Sequence, residues 1–349
     1  MQMKMQIIKF TGTSRNLATL TLAAVAMLSL GVSLVGASAF ADSSSSKSSN
    51  SVASNSGITN VTKASVANEV EKEKEKAALK KNDVDKLITN NELRAESGSK
   101  RKLSISTAFS YYGGTLASPL SKNRPNILQS AATTPRADLG GSVAVQYNMD
   151  ETNSLSAGTG IRFIDPLQGG PGAGYNGTSF DAENPYVQYQ NIANFHGVQS
   201  VAVAQLMQWT QADQTPYGYA QEYSLTETAM YAIRKFSVGA YISAADNTFD
   251  KHGSAVEGYQ SDYSFDLSPI LEYQFTPKVN FRTVANSWIF QHNVGVASDT
   301  YQELPWEESI GIGYSVSRNM FLYPNVQFIP EHLATALTNV GLEAYINVL

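Results

Sequence analysis

Cysteine is absent from the 349 residues of this sequence. A disulfide framework and a thiolate metal site are therefore excluded, and no lipid can be attached to a mature N-terminal cysteine. Beyond residue 41 the sequence also lacks any run of 18 apolar residues. A helical membrane span is thus excluded for most of the chain.

Positive charge is scarce in the larger part of the chain. Residues 102–349 contain 11 Lys and Arg against 21 Asp and Glu, a net charge of −10. Residues 42–101 contain 11 basic and 9 acidic residues, a net charge of +2. The acidic C-terminal part argues against nucleic acid as a partner and against a basic pore that attracts anions.

The N-terminal segment has the pattern of an export signal. Lys4, Lys9 and Arg15 precede an apolar run at 17–35, and small residues allow cleavage after Ala39 or Ala41. A charged head, an apolar middle and a small-residue exit predict a secretory signal peptide over residues 1–41. Since the apolar run is long enough to span a membrane, an uncleaved anchor is the alternative.

Two segments of different composition follow the signal. Residues 42–62 are rich in Ser and Asn and predict a flexible linker. Residues 63–101 favour a charged periplasmic helix or a short coiled coil, which would form a homo-oligomer through residues 66–87. Five of nine heptad core positions there are apolar, namely Val66, Val70, Ala77, Val84 and Leu87. A solvated charged helix or a partly disordered spacer is the alternative.

From Lys102 onward, apolar residues recur at every second position. The clearest example is 263–275, where Tyr263, Phe265, Leu267 and their successors alternate with mainly polar residues. This period predicts strands with one apolar face. Twelve such strands are predicted, at 103–111, 139–147, 155–163, 186–195, 201–209, 219–236, 236–244, 263–275, 279–290, 310–316, 320–328 and 340–348. A miscounted weak strand would change the number to ten or fourteen.

The connections between these strands alternate in length. Long loops follow the odd strands and tight turns follow the even ones, and aromatic residues sort into two bands near the strand ends. This pattern is typical of an all-β, up-and-down antiparallel transmembrane barrel, whose aromatic girdles lie at the two membrane interfaces. The sequence therefore predicts a barrel over residues 102–349. A soluble β-sandwich is the alternative.

The last predicted strand contains a short motif. Asn339, Gly341, Ala344 and Ile346 give a polar residue, a glycine two positions later and two spaced apolar residues. With the strand pattern, this motif resembles the Gram-negative outer-membrane β-barrel proteins in the broad, porin-like sense. The resemblance implies an outer-membrane location, lipid as surroundings and the barrel-assembly machinery as a partner. Leu349 departs from the aromatic residue with which such chains usually end.

Six charged residues are predicted to face the barrel lumen. They are Arg162, Arg234, Asp266, Glu272, Arg282 and Glu343. Unpaired buried charges are costly, so these residues should pair or contact water. Two interpretations remain open: a constriction that selects ions or solutes, and a brace inside a narrow barrel. Glu227 is anomalous because alternation directs it toward lipid, unless a bulge or a contact between protomers removes the conflict.

The sequence contains no nucleophile and base at positions that a strand would bring together, so no enzyme activity is predicted. No metal site and no cofactor are predicted either. The expected function is passive diffusion of ions and small solutes, with a mild cation preference from the acidic barrel. The alternative is an export channel, or a structural or adhesin-type barrel, with a periplasmic helical tether or oligomerisation segment.

Overall fold

The computed structural model describes residues 7–9, 84–125, 127, 136–170, 179–211, 214–250, 260–286, 288–297, 300–303 and 306–348. The predicted signal peptide, except 7–9, and the whole predicted linker lie outside these residues. Within the described residues, no helix is both long enough and apolar enough to cross a membrane.

The described chain is dominated by antiparallel strands. In chain order they are β1 (Ile7–Lys9), β2 (Leu103–Thr115), β3 (Asp138–Asn148), β4 (Asn153–Ile164), β5 (Phe180–Phe195), β6 (Val198–Gln208), β7 (Tyr219–Ile233), β8 (Phe236–Phe249), β9 (Ser261–Thr276), β10 (Val279–Asn286), β11 (Trp288–Asn293), β12 (Thr300–Glu303), β13 (Glu307–Ser317), β14 (Met320–Phe328) and β15 (Asn339–Val348). Short 3-10 turns occupy Thr215–Tyr217, Pro330–His332 and Thr335–Leu337.

The strands β2–β11 and β13–β15 close into a barrel whose wall is twelve strands around. Neighbouring strands pair in chain order, and β15 closes the barrel on β2, with Ala344 opposite Phe109. β10 and β11 together form one position, since both pair with β9. The predicted all-β, twelve-stranded up-and-down barrel is confirmed. A closed barrel leaves no unpaired edge in the wall, as a membrane-spanning sheet requires.

The predicted alternation of long loops and tight turns is also present. The turn-side connections have two to four residues, for example His196-Gly197 between β5 and β6 and Arg234-Lys235 between β7 and β8. The loop-side connections are longer, and one contains a small hairpin in which β12 pairs with both β11 and β1. Because β1 lies within the predicted signal peptide, a cleaved chain would lack this last pairing.

The outer face of the wall is apolar. Along each strand, alternate residues point outward, and large apolar side chains there are exposed. They include Val145, Leu155, Val187, Leu206, Val238, Leu271, Ile312 and Leu342. Exposed aromatic side chains lie near the turns at Tyr147, Phe195, Phe236 and Phe275. This face suits contact with lipid.

Glu227 interrupts the outer face near the middle of β7. It lies opposite Ala202 of β6 and Ile242 of β8, and it hydrogen-bonds with Ser200. The only register shift in the β7–β8 pairing falls at Tyr219, so no bulge turns Glu227 inward. A contact between protomers remains as the predicted explanation for this outward carboxyl group.

Two short helices precede the barrel, α1 (Val84–Leu87) and α2 (Asn91–Glu96). The long helix expected over residues 63–101 is interrupted at 88–90, where Asn90 caps the second helix. The Asn90 side chain accepts hydrogen bonds from the backbone N–H groups of Glu92 and Leu93. Such a cap begins a new helix rather than continuing an old one. Residues 63–83 lie outside the described residues.

Candidate functional site: the barrel lumen and its inner segment

Residues 84–101, here called the inner segment, lie inside the barrel at its turn side. Polar lumen residues from several strands bind the backbone of this segment. Gln199 of β6 accepts from the N–H groups of Thr89 and Asn90 at 2.6 and 2.9 Å. From β15, Asn347 Nδ2 donates to the carbonyl of Ala95 at 2.6 Å. Further donors to its carbonyls are Gln146, Asn148, Gln190, Asn194 and Arg318.

Apolar contacts hold the inner segment on two walls. Val84, Ile88 and Leu93 pack with buried side chains of the β5, β6, β7 and β9 wall, namely Ile192, Val201, Met230 and Ile270. Ala95 packs with Phe321 and Tyr323 of β14. The segment therefore extends across the lumen and contacts opposite sides of the barrel.

This position differs from the periplasmic extension expected from the sequence. Val84 and Leu87, two of the apolar heptad positions, pack against the lumen wall. A helix that is free in the periplasm would not make these contacts. A coiled coil through the rest of residues 66–87 falls outside the described residues. Oligomerisation through that segment stays a prediction.

A buried ionic cluster joins the inner segment to the wall. Arg282 Nη1 of β10 contacts Glu272 of β9 at 2.6 Å, and it also contacts Glu92 of α2. All three residues are almost fully buried. The ring of Tyr323 lies 5.5 Å from the Arg282 guanidinium. A guanidinium between two carboxylates is a favourable arrangement only while all partners are present.

Carboxyl groups outnumber cations around Arg282. Glu96 and Glu343 lie within electrostatic range of Glu92, together with Glu272. Burial raises the pKa of Glu96 to about 7, against the opposing effects of Arg282 and of a hydrogen bond from Thr228. Burial likewise raises the pKa of Glu92 to about 8, and Arg282 opposes this shift. The inner segment thus carries carboxyl groups whose protonation changes near neutral pH.

Asp85 forms a second ionic contact of the inner segment. Lys100 Nζ lies 2.5 Å and Arg318 Nε 2.8 Å from its carboxylate. Burial alone would raise the pKa of Asp85, but the hydrogen bonds from these two cations outweigh it and the pKa is lowered. Since Arg318 belongs to the β13–β14 turn, this contact ties the start of the segment to the barrel rim.

A separate charged cluster occupies the loop side of the lumen. Arg162 Nη2 lies 3.5 Å from Asp138, and Arg124 Nη1 lies 3.9 Å from the same carboxylate. The Arg124 guanidinium is also 5.1 Å from the Tyr112 ring. Nearby, Arg136 Nε donates to the buried Asp165 at 2.8 Å, which anchors the loop after β4. The lumen therefore has charged groups near both ends.

The structure brings only some of the predicted lumen residues together. Glu272 and Arg282 form the buried pair, and Glu343 lies within their electrostatic range. Asp266 faces the lumen elsewhere on β9 and accepts a hydrogen bond from Ser268 at 2.9 Å. Arg162 belongs to the loop-side cluster. Arg234 does not face the lumen from a strand, because it lies in the exposed β7–β8 turn with a φ of 58°.

Sequence reasoning missed the partners of these residues. Glu92 and Asn90 are assigned by sequence to a charged helix, yet Asn90 Nδ2 donates to Glu272 at 2.7 Å across 182 positions of chain. The useful signal was the apolar pair Val84 and Leu87 within a charged segment. That pair indicates that the segment packs against another part of the protein, but it does not indicate which part.

The residues of the predicted assembly motif lie in β15. Asn339 is buried, and Gly341 pairs with Asn325 of β14. A Cβ at Gly341 would lie 2.4 Å from Oδ1 of Asn325, so a larger residue here would displace that side chain. Ala344 and Ile346 alternate with the lumen-facing Glu343 and point outward. Recognition of the motif by assembly machinery stays a prediction.

Sequence reasoning also missed the contact between His292 and Asp262. His292 Nδ1 lies 2.6 Å from Asp262, which is the geometry of an oriented imidazole. Within the described residues, however, His292 Nε2 is buried and has no hydrogen-bond partner. Those same residues contain no cluster of metal-ligating side chains. Among these residues, Nε2 therefore bonds to no hydroxyl group that could act as a nucleophile.

Together, the closed twelve-stranded wall, its apolar outside and its polar lumen define the architecture of the outer-membrane β-barrel proteins that the sequence resembles. Comparison with known proteins finds no matching family model and no matching curated protein. The chain is similar to the solved structure of an outer-membrane channel from Pseudomonas putida F1, with 10% identity and a TM-score of 0.43. That similarity covers 72% of this chain and 98% of the other.

Two porin structures are also similar to the chain. One is the KdgM porin in complex with disordered oligogalacturonate, at 8% identity and a TM-score of 0.38. The other is the NanC porin, at 6% identity and a TM-score of 0.38. Each similarity covers 70% of this chain and 98% of the other.

Proposed function

We propose that the chain is an outer-membrane channel for ions and small solutes, whose turn-side entrance is controlled by the inner segment. The observation that carries this proposal is the set of contacts between residues 84–101 and the lumen. These contacts are polar and ionic to a large extent, so water can replace them when the segment leaves. A wall built only to be permanently filled could use apolar packing at lower desolvation cost.

The acidic lumen supports a mild preference for cations. The barrel part of the chain has a net charge of −10, and Asp266, Glu272 and Glu343 face its interior. Carboxylates that line a pore lower the energy of cations inside it and raise that of anions. We expect long loops to face the outside and the turns, with the inner segment, to face the periplasm.

A structural or adhesin-type barrel is the second candidate. One observation favours it: Arg282 is only 4% exposed between Glu92 and Glu272, as expected for a brace that stays in place. An export channel is the third, because a segment that leaves the lumen would open a wider passage. These candidates differ in whether the protein conducts, and under which condition.

Conductance in planar bilayers tests the proposal. Protein with the inner segment in place should show small or infrequent openings, and a variant that lacks residues 42–98 should conduct steadily. If neither form conducts, the channel proposal is wrong and a structural barrel remains. If both conduct equally, the inner segment does not control the entrance.

A reversible lock gives a sharper comparison, because the chain has no cysteine of its own. Thr89 Oγ1 and Gln199 Nε2 are 3.0 Å apart, so cysteines at these two positions could be joined by a short thiol-reactive cross-linker. Cross-linked protein should stay closed, and cleavage of the linker should restore the openings. Each single-cysteine variant, treated identically, is the control.

A further inference from the structure

A cavity of about 340 Å³ lies between the inner segment and the wall at the turn side. Thr89, Asn90 and Asn91 of the inner segment line one side of it, and Gln199, Ser237 and Gln274 line the other. Pockets from about 300 Å³ upward accommodate small organic ligands. The cavity therefore has the size of a binding site and a polar lining.

Three cations also line this cavity. They are Arg94 from α2 and the adjacent Arg234 and Lys235 from the β7–β8 turn. The described residues that line the cavity include no carboxylate. In a barrel with a net charge of −10, a group of three cations without an acidic neighbour in the same cavity is unexpected. Its field favours a ligand with more than one negative charge.

Arg94 is held in a fixed direction beside the cavity. Its Nε donates to the carbonyl of Ile88 at 3.3 Å, and Nη2 donates to the carbonyl of Thr89 at 3.2 Å. Asp85 lies 4.0 Å from Arg94 Nε, but Lys100 and Arg318 are closer to that carboxylate. The charge of Asp85 is therefore already matched, and Arg94 is left with charge to offer to a ligand.

Arg234 provides a second, independent observation. Its φ of 58° lies in the left-handed region, where glycine or asparagine is favoured in a tight hairpin. A two-residue hairpin turn needs this positive φ, and arginine adopts it at a higher energetic cost than glycine or asparagine would. Residues in unfavourable backbone conformations tend to occur at ligand sites, where the side chain is needed.

We propose that this cavity binds a small organic molecule that carries a phosphate group and enters from the turn side. The arginines match a phosphate dianion in geometry and charge, since a guanidinium donates two parallel hydrogen bonds to it. The polar lining of the cavity surrounds the organic part of the ligand. Because Arg94 belongs to the inner segment and Arg234 to the wall, the bound ligand joins the two.

Titration calorimetry on the purified full-length protein tests this site at constant ionic strength. The probes are inorganic phosphate, glycerol 3-phosphate and acetate. We expect glycerol 3-phosphate to bind most tightly, inorganic phosphate more weakly and acetate not measurably. Arg234→Gln should weaken glycerol 3-phosphate binding about tenfold or more, as expected when one charge-assisted contact is removed. Lys278→Gln, on the next turn and outside the cavity, should leave binding unchanged.

Arg234→Gly separates binding from folding. Glycine tolerates the positive φ, so this variant should be at least as heat-stable as the unmodified protein and should still lose binding. The proposal is overturned if no phosphate compound binds, if acetate binds as well as phosphate, or if all variants bind equally. Weaker binding of glycerol 3-phosphate than of inorganic phosphate would overturn the assignment to an organic phosphate.

Discussion

Arg282 joins the inner segment to the wall through two buried ionic contacts. It is the cation between Glu92 and Glu272, and burial removes the water that would otherwise stabilise these carboxylates. Removing one partner of a buried ionic group leaves the others uncompensated, which costs about 3–5 kcal/mol. At the scale of one residue, this guanidinium therefore decides whether the segment stays docked.

We predict that Arg282→Met releases the inner segment while the barrel stays folded. Limited proteolysis should then cleave near residues 84–101, and the conducting fraction in bilayers should rise. Arg162→Met removes a cation from the loop-side cluster, far from the segment, and serves as the matched control. Unchanged protection of the segment in Arg282→Met would contradict the role assigned to this residue.

Gly98 follows Ser97, the C-cap residue of α2, and has a φ of +84°. A Cβ there would lie 2.3 Å from Gln146 Oε1, so alanine would be strained by both the backbone and the contact. We predict that Gly98→Ala weakens docking by about 1–2 kcal/mol, measured as faster proteolysis of the segment. Gly170 has a similar φ but open space around it, so Gly170→Ala should leave the segment protected.

The strength with which the inner segment docks in the lumen depends on pH. Glu96 has an ordinary pKa near 4.5 when the segment is free and a pKa of about 7 when it is docked. Because the docked state holds the proton more tightly, docking is strongest below pH 4.5 and weakens as pH rises toward 7. Each unit of pKa difference changes the docking equilibrium by about tenfold.

We therefore predict that the conducting fraction increases between pH 5 and pH 8. Glu96→Gln removes one titrating group but keeps an acceptor for Thr228, so it should flatten this dependence and strengthen docking at pH 8. Glu331→Gln, in an exposed loop-side turn, is the control for the loss of a carboxylate. A pH dependence that is identical in the Glu96→Gln variant would contradict the mechanism.

The sequence predicted the elements of the wall but not what fills the barrel. The alternation in 263–275 is a local property, and β9 (Ser261–Thr276) reproduces it because the apolar residues at alternate positions face outward. The inner segment depends on contacts such as Thr89 to Gln199, which join residues 110 positions apart. No local pattern reports such pairs, and the charged residues around Val84 and Leu87 favoured a solvated helix instead.

The candidate site was predictable to a similar extent. Period two identified Glu272 and Arg282 as lumen residues, but their pairing follows from the register of β9 and β10, which the bulge at Val279 adjusts. Arg234 was assigned to the lumen by extending the alternation to the end of the predicted strand 219–236, although the tight turn predicted from the connection pattern is at Arg234-Lys235, where the chain does turn.

At the scale of the whole molecule, charge selection depends on which face of the wall each carboxylate occupies. Asp266 faces the lumen, whereas Glu308 alternates with the lumen-facing Ser309 and points outward beside Thr283. Replacing either residue with its amide removes one negative charge from the protein. Only the lumen charge acts directly on permeating ions, because the wall of the barrel lies between the outer carboxylate and the pore.

We predict that the protein without residues 42–98 prefers cations, and that Asp266→Asn reduces this preference while Glu308→Gln does not. Reversal potentials under a tenfold KCl gradient measure both effects, and the difference between variants should diminish at high salt because exposed charges are screened. Anion selectivity in the unmodified pore would contradict the expected cation preference. Equal shifts in the two variants would instead mean that net charge, rather than lumen position, sets the selectivity.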